Sequence, residues 1–274
     1  MIVSNSHVAR GAVGGRASVF VLERMGFPVW SVPTVTLPWH LGHGRATRIA
    51  PTAADYAALT GDLAGARSLG EVGAVLSGYL GGADQAEAIA ALIAAVRARK
   101  PGALYLCDPI IGDSEGLFQP EATAAAIRDR LVPHADIVTP NRHELAWLAR
   151  RPLADNDAIV ATARSLGPAE VVVTSAFARA GEIGALAVTA DAVHIVTHPR
   201  LPEVPHGTGD LFAALYLGHR LDGCAAPDAL QRATSTVFAL IERAVATGAD
   251  EMPLAAGQDT FFAEPAGVTL TRLA

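Results

Sequence analysis

Lysine is almost absent: Lys100 is the only one in 274 residues, and it stands between Arg99 and Pro101, where an apolar helical stretch ends. A Walker A loop needs a Gly-Lys pair, and an enzyme that binds pyridoxal phosphate as a Schiff base needs a reactive lysine. Both classes are therefore set aside. The protein-kinase set is missing too, since neither His-Arg-Asp nor Asp-Phe-Gly occurs. Only two cysteines are present, Cys107 and Cys224, both in apolar surroundings and without a CxxC pair. That excludes a disulfide framework and a zinc knuckle. No HExxH occurs among the nine histidines, so a catalytic zinc is not expected. Positive charge is also scarce. With 21 basic against 27 acidic residues the formal net charge is -6, which leaves no field to gather nucleic acid or an anionic membrane. The longest apolar runs, such as Ala88 to Val96, are too short to span a bilayer, and Met1 to His7 has no basic stretch followed by an apolar one. The expectation is a cytoplasmic protein whose partners are small molecules, with no nucleic acid and no membrane.

Hydrophobic residues make up 51% of the chain and charged ones 18%, enough to bury a sizeable core. Short β-rich runs alternate with longer Ala/Leu/Arg stretches of helical period, the pattern of an α/β protein with a mainly parallel sheet covered by helices on both faces. Strands are predicted near Ile2–Ser4, Val29–Thr34, Ala74–Ser77, Leu104–Cys107, Asp136–Val138 and Val171–Thr174, with a hairpin through Ala185–Thr189 and Ala192–Thr197. Helices are predicted over Arg16–Met25, Ala53–Leu63, Ala83–Arg99, Pro120–Leu131, Arg142–Arg150, Asp155–Leu166, Gly209–Leu221 and Pro227–Thr247. Asp84 and either Asp155 or Asn156 are expected as helix caps. No linker, repeat or composition shift divides the chain, which reads as one domain over residues 1–274. The irregular stretch Leu37 to Pro51, with Trp39, His40, His43, Arg45 and Arg48, is long for a compact α/β protein and is a candidate lid or an ordinary surface loop.

Ligands of open α/β sheets bind beyond the carboxyl ends of the strands, so polar clusters after apolar runs matter most. Four occur: Ser77 to Gly81, Asp108 to Asp113, Thr139 to Glu144, and His206 to Asp210. In the last, Gly207-Thr208-Gly209 precedes an apolar helical run. A glycine turn there leaves the first helical N–H groups free to bind phosphate. Asp210, held ionised by the same field, is expected to orient a substrate hydroxyl and take its proton late. By itself the turn reads equally well as an ordinary helix start. Asp108 and Asp113 flank a Pro-Ile-Ile-Gly turn, and Asn141 and Glu144 stand three apart at the next helix start. As hard oxygen donors, Asp108, Asp113, Asn141 and Glu144 suit Mg²⁺; singly, each also reads as a turn or cap residue. Together with the turn they describe a site for phosphoryl transfer.

These residues resemble the ribokinase superfamily and, within it, the pyridoxal kinases. The likeness runs nearly end to end: Ser6-His7-Val8 with Gly11-Ala12-Val13-Gly14, then Ala74 to Gly81, Asp108 to Asp113, Thr139 to Leu145, Val173-Thr174-Ser175, and Gly207 to Phe212. The resemblance implies a three-layer ribokinase-like fold and ATP-dependent phosphorylation of the 5′-hydroxymethyl group of pyridoxal, pyridoxine or pyridoxamine. It implies Asp210 as base and Gly207, Thr208 and Gly209 as the anion hole. Asp108, Thr139, Glu144, Thr174, Ser175 and His206 would contact ATP or its Mg²⁺. Ser6, Val13, His40, Leu41 and Tyr79 would line the vitamin pocket together with Asp210. A homodimer, a loop closing over the site and a monovalent cation as further cofactor belong to the same set of expectations.

Two positions depart from the family. Leu37-Pro38-Trp39-His40-Leu41 stands where such kinases carry Phe-Ser-Asn-His-Thr, so a hydroxyl is replaced by Leu41, and Gly15 stands where Asn is usual. Losing one polar partner weakens a ligand by about 1–3 kcal/mol unless another group compensates. Trp39 would compensate by stacking on the ring, or else packs within its loop. Related hydroxymethylpyrimidine kinases often have Cys where Asp210 stands, which favours a B6 vitamer. Hydroxymethylpyrimidine or another small alcohol as acceptor, or a non-catalytic B6 carrier, are the alternatives.

Overall fold

The computed structural model describes all residues from Met1 to Ala274. Its main sheet has nine strands, and six adjacent ones run parallel: β2 (Trp30–Leu37), β1 (Ile2–Val8), β3 (Ala74–Ser77), β4 (Leu104–Cys107), β7 (Ile137–Val138) and β8 (Glu170–Ala176). β9 (Glu182–Val188), β10 (Val193–Pro199) and β11 (Thr269–Arg272) then extend the β8 edge antiparallel. The inner strands are buried along most of their length, and Ala74–Ser77 along all of it, because helices cover both faces and leave no polar side to alternate with. The expected three-layer α/β architecture is present, and its nearly unbroken apolar strands are what made it legible.

Eight helices supply the outer layers. α1 (Gly14–Arg24), α7 (Thr208–Leu221) and α8 (Ala226–Thr247) pack on one face around a core that includes Val3, Val21, Leu76, Leu211 and Leu240. On the other face α2 (Ala53–Ala64), α3 (Gln85–Arg99) and α4 (Glu121–Ala126) surround Ile2, Tyr56, Val75, Ile89 and Tyr105. α5 (Arg142–Leu148) and α6 (Asn156–Ser165) pack beside β8 and β9 around Leu145, Ile159 and Val173. No helix is long and apolar enough to cross a membrane.

Several local expectations need correction. Asp84 sits at the start of α3 in a helical backbone conformation and makes no side-chain cap, whereas Asp155 accepts from the Ala158 N–H at 2.8 Å. The helix expected over Pro120–Leu131 tightens and loosens within its length, passing from α4 into a π turn at Ile127–Leu131 ahead of Pro133. β1 continues through Asn5, Ser6 and His7 to Val8; these polar residues hide a strand whose end faces a ligand site. A small hairpin, β5 (Gly112–Asp113) with β6 (Gly116–Leu117), and the terminal β11 were not anticipated. Both are too short and polar to carry a strand period.

The parallel order β2-β1-β3-β4 reverses direction at β1, and the first crevice of an open sheet opens at such a switch point. A buried pair holds that point together. Ser4 on β1 and Tyr56 on α2, each 1% exposed, share a 2.6 Å hydrogen bond. Tyr56→Phe leaves the Ser4 hydroxyl unpartnered, so we expect a loss of about 1–3 kcal/mol, read as a lower urea midpoint at unchanged slope; an unchanged midpoint would show that the bond adds no net stability.

Candidate active site

Five of the six parallel strands deliver a polar group at or near the carboxyl end. β1 carries Ser6 near its end, β3 is followed by Tyr79, β4 by Asp108, β7 by Thr139, and β8 carries Thr174. These ends border a cavity of about 410 Å³ that is also lined by Val13, Gly14, His40, Leu41, Asp113, Asn141, Glu144, His206, Gly207, Gly209 and Asp210. All six residues expected to contact the vitamin are there. A second cavity of about 310 Å³ lies beyond α7, with Ile183, Val204, Phe212, Val237 and Ile241 among its apolar walls and Ser175, Arg200 and Thr208 among its polar ones. Asn141, Thr174 and Gly209 line both cavities. His206, expected on the nucleotide side, lines the first cavity and not the second.

The glycine turn meets the demand that sequence placed on it. Gly207 is left-handed at φ 94°, and a Cβ there would fall 2.3 Å from the Ala12 carbonyl oxygen. Only glycine lets the start of α7 approach the start of α1 so closely. No side chain caps α7, so its first N–H groups keep their donor capacity for an incoming anion. Asp210 follows in the first turn. Its carboxylate accepts from the Asn5 Nδ2 at 2.9 Å and from the Gly14 N–H.

Burial raises the pKa of Asp210, while the Gly14 and Asn5 hydrogen bonds act in the opposite direction by favouring the ionised form. The group keeps a partly exposed edge on the cavity. Asp108, 5% exposed, is pushed well above the usual carboxylate range by burial and then by Glu144 and Asp210. Its Oδ1 accepts from the Thr139 hydroxyl at 3.0 Å. Burial lifts Glu144 to about 7 against three backbone N–H donors, those of Asn141, Ile111 and Gly112.

The four expected metal donors do not form one shell, since no three His, Cys, Asp or Glu side chains converge closely enough to chelate an ion. Asn141 and Glu144 form a reciprocal capping box at the start of α5, and the Asn141 amide donates to the Gly112 carbonyl. Asp113 is exposed and accepts from the Glu115 N–H at 2.8 Å. His194 and His198, four residues apart, lie on strand β10, where that spacing separates Cα atoms by roughly 13 Å. Ile110, a β-branched residue at φ 44°, holds the turn between Asp108 and Gly112 in a strained conformation at the cavity wall.

The long loop after β2 is pinned at its neck and tip. Thr36 and Ile49 exchange backbone hydrogen bonds at 2.7 and 3.0 Å. At the tip, His40 stacks on His206 with centroids 4.1 Å apart, and the His43 Nε2 lies 3.0 Å from Glu251 Oε1. Trp39 lies outside the cavity lining, 36% exposed, with its Nε1 donating to the Gly44 carbonyl at 3.4 Å, so it packs in its own loop. Sequence reasoning missed Asn5, Phe118 and Glu251. Asn5 and Phe118 touch the site, and Glu251, which also accepts from the Ala12 N–H, braces it. No local pattern announces Asn5 and Glu251, because each acts across a long stretch of chain.

A three-layer α/β fold with an open helix start, an aspartate in its first turn and two adjoining cavities defines the ribokinase-like class of small-molecule kinases. The sequence profile of the phosphomethylpyrimidine kinase family matches residues 62–255. Pyridoxal kinase PdxY of Rubrobacter xylanophilus is 39% identical over 98% of this chain and 96% of its own, and that of Granulibacter bethesdensis is 39% identical over 94% of each. The chain belongs to this family and, within it, to the pyridoxal kinases. The fold agrees: the Leishmania donovani pyridoxal kinase solved in complex with ADP and pyridoxamine is 24% identical and superposes with a TM-score of 0.91 over 100% of this chain and 99% of its own. The Entamoeba histolytica enzyme is 22% identical and also gives 0.91, over 99% and 98%.

His40 offers a test of this geometry. Burial and the neighbouring His206 lower its pKa to about 4. A histidine lowered in the fold contributes stability that is present above its unfolded value near 6.5 and is lost as pH falls toward about 4. His40→Gln removes this dependence. Urea midpoints of the wild type and the variant should therefore shift relative to each other between pH 7.5 and pH 4.5, with the wild type losing ground on acidification; parallel behaviour would place His40 in solvent.

Proposed function

We propose that the protein transfers the γ-phosphoryl group of ATP to the 5′-hydroxymethyl group of pyridoxal, pyridoxine or pyridoxamine. The observation that carries this reading is Asp210, set in the first turn of the uncapped helix α7 and facing a cavity of suitable size for a substituted pyridine. The second cavity, past Thr174 and Gly209, suits the nucleotide: its apolar walls accept a base, and it leads its phosphates to the amides of Gly207, Thr208 and Gly209. The vitamin oxygen forms a bond to the γ-phosphorus, the bond to the ADP oxygen breaks, and the hydroxyl proton passes to Asp210. A raised pKa makes Asp210 a better acceptor for that proton than an ordinary carboxylate would be. The backbone amides stabilise charge that builds on the transferred group.

Magnesium fits the donors present. Asp108 and Glu144 are buried carboxylates whose ionised forms are disfavoured, and the cavity they share with Asp113 and Asp210 is lined by no lysine or arginine. Phosphates entering this space need a cation. Asp108 and Glu144 would hold it, directly or through water, between protein and nucleotide, and it would neutralise the phosphate charge. Thr139 steadies Asp108, and Ser6, Val13, His40, Leu41 and Tyr79 are assigned to the vitamin. His206 is reassigned from the nucleotide to the vitamin side. The single-domain reading over residues 1–274 and a cytoplasmic location rest on the composition of the chain, and a homodimer and a monovalent cation on the family likeness.

A coupled ADP-release assay with Mg-ATP tests the reading. Pyridoxal, pyridoxine or pyridoxamine should be turned over faster than hydroxymethylpyrimidine, the acceptor that the family profile makes the alternative. Preference for the pyrimidine, or ligand binding without turnover of any alcohol, would overturn it. Asp210→Asn should lower kcat by about 10²–10⁴-fold while ATP binding and the unfolding midpoint change little; retention within about tenfold of wild type excludes Asp210 as the base.

A further inference from the structure

We infer that Asn5 is a positioning residue that fixes the direction of the Asp210 carboxylate and locks it to the pocket walls at Ser6 and Tyr79. This rests on the assignment of Asp210 as base. Asn5 is 2% exposed and every polar atom of its amide is committed. Its Oδ1 accepts from the Ser6 N–H at 2.8 Å and from the Tyr79 N–H at 2.9 Å, and its Nδ2 donates to Asp210 Oδ1 at 2.9 Å. Backbone N–H groups only donate, so the side-chain oxygen must face Ser6 and Tyr79 and the NH₂ must face Asp210. The orientation of the amide is thereby determined by its partners.

Two backbone features serve the same contact. The register of β1 against β2 shifts between Asn5 and His7, and an irregularity of this kind re-aims a side chain at the end of a strand. After β3 the chain crosses directly over the amide at Gly78, where a Cβ would fall 2.3 Å from the Asn5 Nδ2. Any side chain there would push the Tyr79 segment off Asn5. One buried amide thus joins three segments far apart in sequence, and does so without charge. An arginine or lysine in its place would pair with Asp210 and suppress its basicity, whereas a neutral donor aims the carboxylate at lower expense to proton affinity.

The test separates aim from architecture. Asn5→Asp keeps an acceptor for the Ser6 and Tyr79 N–H groups but replaces the donor to Asp210 with a second carboxyl; Asn5→Ala removes both contacts. The other titratable groups facing Asp210 across the cavity are Asp108, Asp113, Glu144, Tyr79, His40 and His206, and all are unchanged in both variants. Wild type, N5D and N5A are compared for pyridoxal phosphorylation between pH 5.5 and 9, with unfolding midpoints and ADP affinity measured alongside. We expect kcat to fall at least tenfold in both. KM for pyridoxal should stay within about threefold in N5D and rise further in N5A. The acid limb of kcat should move to higher pH in both, further in N5D, where two carboxyls share a proton. If both variants keep the wild-type acid limb, Asn5 is merely structural and the inference is overturned, even if their stability falls. Should N5D fail to fold, the acid limb of N5A alone decides. Asp210→Asn runs in parallel: if it stays active, the base assignment itself is wrong, whereas an inactive D210N beside an unshifted N5A removes only the role of Asn5.

Discussion

Four carboxyl groups share one cavity with no lysine or arginine on its walls, and much of the local construction serves to hold them there. Uncompensated carboxylates in a desolvated space are expensive, so the three that burial affects are balanced by something other than an opposing side-chain charge. Glu144 takes three backbone N–H groups, Asp108 the Thr139 hydroxyl, and Asp210 the Asn5 amide and the Gly14 N–H, while Asp113 stays exposed. Neutral donors soften the repulsion without removing it, and Asp108 and Glu144 still titrate above their ordinary range. Electrostatic demand is left over for a ligand. A nucleotide accompanied by a divalent cation satisfies it, since the metal answers the carboxylates and the helix start answers the phosphates.

The same logic explains why two helix starts converge. α1 begins at Gly14 and α7 at Thr208; left-handed Gly207 lets the start of α7 sit against Ala12 ahead of α1, and left-handed Gly14 lets the start of α1 sit against Ser6 of β1. A Cβ on Gly14 would fall 2.2 Å from the Ser6 Oγ. Close approach, rather than flexibility, is the reason for glycine at these points. Asp210 lies where both fields meet, yet its proton affinity rises. The packing that brings these helix starts together also expels water, and that desolvation outweighs the Gly14 and Asn5 hydrogen bonds.

How much of this was legible in sequence depends on distance along the chain. The parallel sheet and the eight helices announce themselves because their determinants are local: apolar runs of strand length and amphipathic stretches with turns between them. Asp108 and Thr139 follow such runs directly and Thr174 lies near the end of one, so the rule that ligands sit at strand ends finds them; Asp210 is found instead through the glycine turn before an apolar helix. Asn5 escapes that rule because it lies inside β1, in a polar stretch that reads as loop, and its partners are 74 and 205 residues away. The spacing of three between Asn141 and Glu144 serves the helix start as a capping box, which accounts for Asn141 without a metal. The sign of the shift at Asp210 was also out of reach, because burial is a property of the assembled fold.

The two departures from the family pattern fall in different structural settings, which bears on specificity. Leu41 is 49% exposed and lines the cavity beside the stacked His40 and His206. On the proposed placement of the vitamin, an apolar group there offers no hydrogen bond to a ring substituent, and the two imidazoles are polar groups lining the same cavity. His40, kept neutral by burial, can either donate or accept toward a ligand, but its Nδ1 already accepts from the Gly42 N–H. Its free nitrogen is therefore Nε2–H, a donor. Gly15 is buried against the Ser6 carbonyl, which a Cβ would approach to 3.0 Å. The loss there is of bulk beneath the pocket rather than of a contact at its rim. A rim donor in place of a hydroxyl favours ring substituents that accept, such as a phenolate oxygen or an aldehyde oxygen, over those that only donate. That preference follows from the tautomer His40 must adopt to hold its own loop.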